Sequence, residues 1–447
     1  MTPNQSLNKS NQLREYLRAD YLQGIHSVFP HEVIEMYDSS STRDRVYSCE
    51  NTILTMIYSA TQADKTLQNA VNIFGRIHQN NSVRIINEAE SALELEKIED
   101  MENIEVRRGP KKKYKLKIPK SKTSEISVNT AAYSKARKRI NFDLLRGIFE
   151  KTRESTDSAY SWYGMKTYIT DGTYVQMQDT EELRQLYSVK HTDQEAFIDN
   201  YPQGLVQTII EQGSGFIHDY ALSNRHTSEL LLIYQLIQSI PKNSLLLADD
   251  LYNCFAIFAL ARKYGFDLIV PGKRVKNYTV IEVIAQGDEI VEVKQKEHPK
   301  WLTKSEILPN RILLRRISFL SPDGVNTMVI YTTLLDKNIP SCEIVLKYFT
   351  RWDIEITIRE VKTIMDVNVL RGKTDDIVRK ELISAFIAYN LIRKLIMQST
   401  KKTAFSPETD IIQEFFENNK DILIDRKGRV YTRWSTGRYG KTEIANS

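Results

Sequence analysis

Glu355 stands among cations and a phenol, with Tyr348 and Arg351 before it and Lys362 after it. At roughly 100° per residue on an α-helix these four side chains fall within about a 60° arc. Ile354, Ile358, Val361 and Met365 form an apolar stripe beside them. Such a face is either a solvated surface laced by i,i+4 pairs or a carboxylate set beside phosphate-binding cations. Two further acids have the context for the second role. Met165 to Thr170 reads as a strand that runs into a turn at Asp171-Gly172-Thr173, and the continuous apolar run Ser244 to Ala248 reads as a strand covered on both faces that ends in Asp249-Asp250. Three carboxylates brought together in this way could hold divalent cations for phosphoryl transfer, since Mg²⁺ prefers a few carboxylates plus phosphate oxygens and water over a closed protein cage. An Arg fork and a compact Lys charge flanking the glutamate suit the neighbouring phosphates, and Tyr348 adds a neutral hydrogen bond.

The spacing Tyr, two residues, Arg, three residues, Glu, six residues, Lys resembles, without a mismatch, the YREK signature of the insertion-sequence 4 family of DDE transposases. The family's second motif is Asp, two residues, then Tyr or Phe, which selects Asp249 with Tyr252 and leaves Asp250 as the alternative. Ala131 to Ile140 resembles the stretch that precedes the first aspartate in these proteins. The resemblance implies a catalytic and metal-binding triad of Asp171, Asp249 and Glu355 holding two Mg²⁺ ions, with Mn²⁺ as a substitute, Asp171 bridging them. It also implies cut-and-paste chemistry on DNA: binding terminal inverted repeats, nicking to expose a 3′ hydroxyl, forming and opening a hairpin, and joining the end to target DNA, with a homodimer in the synaptic complex. Hairpin formation needs a base to leave the stack; the resemblance places Trp352 where a Trp assists that step, and Tyr331 is the second stacking candidate.

The elements that must position these residues read as an α/β protein with a ribonuclease H-like mixed sheet and flanking helices. Residues 1–106 are expected to be an N-terminal helical, DNA-binding domain, with helical periodicity at Tyr47 to Ser59 and Ala63 to His78. Residues 107–150 are a basic linker and helix. Within them RRGPKKKYKLKIPKSK follows an acid-rich stretch, so Lys111, Lys112, Lys113 and Lys115 form either a solvated linker or a phosphate contact. The first part of the core spans 151–271, where strands and helices alternate, and its second part, with the YREK helix, spans 342–400. Between them, 272–341 reads as an inserted β-strand domain, because the 106 residues separating Asp249 from Glu355 exceed any single connection. The tail, 401–447, interleaves cations with aromatics.

Composition excludes several classes. The 447 residues are 41% hydrophobic, enough for a large core, and a formal charge of +5 permits a polyanionic partner without requiring one. Three isolated cysteines make no metal spacing, no phosphate-cradling glycine loop is present, and no apolar run reaches membrane length. The expectation is therefore a cytoplasmic, nucleoid-associated enzyme with no membrane contact. Two alternatives stay open: a nuclease of the same fold that does not rejoin, and an inactive DNA-binding derivative.

Overall fold

The computed structural model describes residues 25–26, 28–37, 46–62, 64–75, 130–153, 161–189, 199–272, 277–320, 327–352, 354, 358, 367–403, 422–424 and 430–432. The chain divides into two compact units, Met1–Leu391 and Ile392–Ser447. The second contains an antiparallel pair, Ile422–Ile424 with Val430–Thr432.

Nine strands of the first unit form one mixed sheet. They are β1 (Lys166–Gln176), β2 (Gln203–Glu211), β3 (Ile217–Asn224), β4 (Ser244–Leu247), β5 (Asp267–Pro271), β6 (Tyr278–Ala285), β7 (Asp288–Lys294), β8 (Arg311–Leu320) and β9 (Thr327–Thr332), in the order β3-β2-β1-β4-β5-β9-β8-β7-β6. β1, β4 and β5 run parallel, β2 pairs antiparallel with both β1 and β3, and β9 runs antiparallel to β5. Gln212 to Phe216 connect β2 to β3 as an antiparallel hairpin. β4 is buried at every residue, as a central strand between two covered faces must be.

Alternation sorts the core into two layers. On one face Tyr168, Leu246, Ala248 and Leu268 pack with helices Glu229–Leu236 and Phe255–Tyr264. On the other, Ile169, Leu245, Leu247 and Ile269 pack with Ile344 and Tyr348 of helix Ser341–Phe349 and with Ile354. Helix Phe255–Tyr264 stops at Gly265, whose φ of 82° only a residue without a Cβ adopts at no cost, and whose N–H donates to the Ala261 carbonyl. The N-terminal helices begin on side-chain caps: Ser48 accepts from Asn51 N–H and Asn141 from Asp143 N–H.

Three expectations change. β1 does not end in a turn at Asp171; Thr173, Tyr174 and Val175 are β-formers, and the strand runs on through Asp171 and Gly172 to Gln176. The strands expected over 272–341 are present, and they extend the core sheet: β9 hydrogen-bonds to β5 through Ile269↔Thr332 and Pro271↔Ile330, and β8, β7 and β6 follow outward. Finally, Tyr348 and Arg351 do not share one regular α-helix. The helix closes at Phe349 and Thr350–Trp352 tightens into a 3₁₀ turn, with the Thr350 hydroxyl donating to the Lys347 carbonyl at 2.6 Å, a local bond that competes with helical continuation. No described helix is long and apolar enough to cross a membrane.

Candidate active site

The parallel pairing of β1 with β4 aligns Ile169 with Leu247. Two residues further along each chain come Asp171 and Asp249, so the same register sets the two aspartates side by side. Asp171 is still inside β1, paired with Thr208 of β2, and its Oδ1 accepts the Gly172 N–H at 2.9 Å. Asp249 lies just past β4 in extended backbone, and its carboxylate accepts the Leu251 N–H at 2.8 Å as the cap of the turn Asp250–Tyr252. By alternation both share a face with Ile169 and Leu247, the face covered by Tyr348 and Ile354.

Tyr348 is buried there. Its hydroxyl is pushed up from its ordinary range, first by burial and further by the charges of Asp249 and Asp250, while Arg351 opposes the shift. The phenol, the guanidinium and the doublet thus lie within electrostatic reach of one another. Ile354 is fully buried in the same cluster.

A fourth carboxylate arrives from the opposite face. Glu229 begins helix Glu229–Leu236 and lies over the Gly172 backbone so closely that a Cβ there would meet its carboxylate at 2.8 to 3.1 Å. Burial first, then the charge of Asp171, with a smaller push from Asp249, raises its carboxyl above the usual range. Glu229 therefore feels the like charges of both aspartates. Glu229 was legible in the sequence only as a first-turn acid; its closeness to Asp171 comes from tertiary register.

Tyr252 ties these parts together. Its hydroxyl donates to Glu229 Oε2 at 3.3 Å and accepts from Gln207 Nε2 at 2.8 Å, and the same amide donates to Thr170 Oγ1 at 2.7 Å. Tyr252→Phe should therefore lower stability by about 1 to 3 kcal/mol, the cost of leaving buried polar groups short of a partner. Urea denaturation checks this, and an unchanged midpoint would show that the network contributes nothing.

Donor chemistry fits a hard divalent cation: the described residues offer carboxylate oxygens with a hydroxyl nearby. Among the described residues Asp171, Asp249 and Glu229 do not bring three ligand atoms within 4.8 Å of one another. Among the described residues only His26, His31 and Glu50 bring three potential ligand atoms within 4.8 Å of one another. There, both His31 nitrogens are engaged, Nδ1 with Glu50 at 2.7 Å and Nε2 with the His26 carbonyl at 3.0 Å, which makes the group a clasp between helices. A Mg²⁺ site completed by water and phosphate oxygens needs no cage.

Tyr331 does not offer a face to an extruded base. It is 3% exposed within the core, its ring against Gly272. Glu355, Lys362, Lys111, Lys112, Lys113, Lys115 and the Trp352 side chain lie outside the described residues.

Comparison with known proteins identifies the family. Residues 162–391, just over half the chain, match the family model described as a transposase DDE domain. The chain belongs to the family of proteins with a transposase DDE domain. It is similar to the transposase InsG for insertion sequence element IS4 of Escherichia coli K12, 28% identical over 276 residues that cover 60% of this chain and 61% of the relative. The putative transposase InsZ of the same strain is 24% identical over 126 residues, 27% of this chain and 42% of that one. The chain thus spans about three fifths of the length of InsG. A solved piggyBac transposase synaptic complex with hairpin DNA covers 66% of each chain at 11% identity and a TM-score of 0.30, a likeness that decides nothing.

Proposed function

We propose that this chain is a DNA transposase that excises and joins an insertion sequence through a divalent-metal site at the ends of β1 and β4. The observation that carries the reading is the β1–β4 register, which sets Asp171 beside Asp249 on the sheet face where Tyr348 and Ile354 pack. The five strands β3-β2-β1-β4-β5 serve as the ribonuclease H-like core. Glu355 follows Ile354 directly, so the segment that carries it is anchored against Ile169 and Leu247, two residues short of each aspartate.

Asp171, Asp249 and Glu355 would hold the cations, with Glu229 adding negative charge beside Asp171. A bound divalent cation supplies an acidified water and charge relief at phosphorus. Arg351 and Lys362 hold phosphates flanking the scissile bond, Tyr348 donates to the same backbone, and Trp352 handles the displaced base. The N-terminal helices and the cluster Lys111 to Lys115 bind the element ends, and two copies work together in synapsis. The roles of the acids and of Tyr348, Arg351, Trp352 and Lys362 rest on the family signature and the proximity of the aspartates, and that of the lysine cluster on its charge alone.

The test uses purified full-length protein, Mg²⁺ and DNA carrying the element's own ends. Expected products are a nick that exposes a 3′ hydroxyl, a hairpin, and then molecules joined to target DNA. Hydrolysis without joined products would make the protein a nuclease, and binding without any cleavage would make it an inactive derivative; either outcome overturns the reading.

A further inference from the structure

We propose that a cationic cleft between the N-terminal helices and the start of helix Asp375–Thr403 seats the phosphodiester backbone of the DNA on which the carboxylate site acts. This rests on the transposase reading above. The cleft is about 550 Å³, and Lys65, Arg137, Lys138, Arg371 and Lys373 line it against a single acid, Glu381.

That acid is already engaged. Its carboxylate accepts the backbone N–H of Arg371 at 2.9 and 3.0 Å and that of Gly372 at 2.8 Å, so its lone pairs are directed at amides. Arg137 lies over the Tyr133 ring, and its buried Nε has no hydrogen-bond acceptor among the described residues. Lys138, Arg371 and Lys373 are exposed.

The cations are also held in place. Lys380 Nζ donates to the carbonyls of Arg137 and Lys138 at 3.3 and 3.2 Å, capping helix Thr130–Arg139, and binds Asp376 at 2.8 Å. The two walls of the cleft are fastened to each other, and like charges on them cannot relax apart. A polyanion relieves that repulsion.

The floor of the cleft carries apolar side chains such as Met56, Leu67 and Ile377, and long, exposed cations stand at its rim. Such side chains suit backbone phosphates, which fix position without reading sequence. The cleft is also connected to the site. Gln176, at the end of β1, exchanges hydrogen bonds of 2.8 Å with Asn368 and Leu370, and Arg371 follows at once. Gln176 is five residues from Asp171, roughly 17 Å along the strand.

The test measures binding of the full chain to a random-sequence DNA duplex across a range of salt concentrations. Each phosphate contact contributes about −0.9 to the slope of log K against log salt, so Lys138→Gln/Arg371→Gln/Lys373→Gln should make the slope shallower by about 2 to 3. The exchange Lys138→Arg/Arg371→Lys/Lys373→Arg should keep it. Thermal unfolding monitors the fold, and the exposed pair Lys138→Gln/Lys373→Gln, expected to lose about 1 to 2 of the slope, serves if the triple variant is unstable. An unchanged slope in a folded variant overturns the cleft while leaving the transposase reading intact. Polyglutamate that displaces the duplex as effectively as unlabelled DNA does would also overturn it. A wild-type chain without salt-dependent DNA binding would instead bring down the transposase reading itself.

Discussion

Asp171→Asn and Asp249→Asn should each lower Mg²⁺-dependent DNA cleavage by about 10³-fold or more, equivalent to several kcal/mol of lost transition-state stabilisation. The amide is chosen because it preserves local structure. Asp249 caps the turn Asp250–Tyr252 by accepting from Leu251 N–H, and Asn caps about as well; Asp171 Oδ1 accepts from Gly172 N–H, which an amide oxygen can also do. The loss then reports on charge. Asp250 sits inside the turn, and Asp250→Asn should cost less than about tenfold, or 1.4 kcal/mol. Single-turnover cleavage, with duplex binding measured alongside, tests all three. Retained cleavage in either of the first two variants removes that residue from the metal site, and a dead Asp250→Asn with an active Asp249→Asn would reverse the assignment within the doublet.

Arg315→Met should destabilise the fold by about 3 to 5 kcal/mol, the usual consequence of removing one partner from a buried ion pair. Arg315 is 1% and Asp288 3% exposed, and they meet in a two-pronged pair at 2.8 and 2.6 Å across β8 and β7. The same guanidinium donates to the carbonyls of Asp336 and Ile339 at 2.9 and 2.8 Å. Removing it strands a carboxylate and two carbonyls where water is excluded. Arg315→Met/Asp288→Leu should recover much of the loss, because the pair itself is close to neutral against an apolar replacement. Urea denaturation of both variants decides the matter: a single variant within about 1 kcal/mol of wild type would show the pair to be dispensable. The held carbonyls lie just ahead of helix Ser341–Phe349, so loosening them should also slow cleavage through Tyr348.

What the sequence displayed and what it hid divide along physical lines. The β4 run was legible because a strand covered on both faces has no polar alternation to confuse it, and Asp249 marked its end. Asp171 was found and misplaced: Asp-Gly is a strong turn signal, yet Gly172 is there so that the Glu229 carboxylate can lie against the strand. Nothing local announces Glu229, since a first-turn glutamate is commonplace and only the crossing of β3, the helix and β4 makes it a neighbour of Asp171. The helix assumed to carry Tyr348 and Arg351 together broke at Thr350, where one hydroxyl bond outweighs periodicity. Tyr331 could be read either as a stacking platform or as a core aromatic, and the pairing of β9 with β5 puts it in the core.

That pairing bears on how this region can change length. β9 supplies the hydrogen-bonding neighbour of β5, and its Ile330 and Thr332 are fully buried, so excising 278–332 as a cassette would uncover a raw edge beside the strand next to Asp249. β6, at the far margin, is exposed along nearly its whole length. Insertions and deletions should be tolerated there and in its turns, while β9 is retained whatever its outer companions become. Strands β6 to β9 thus behave as an annex whose party wall belongs to the original building.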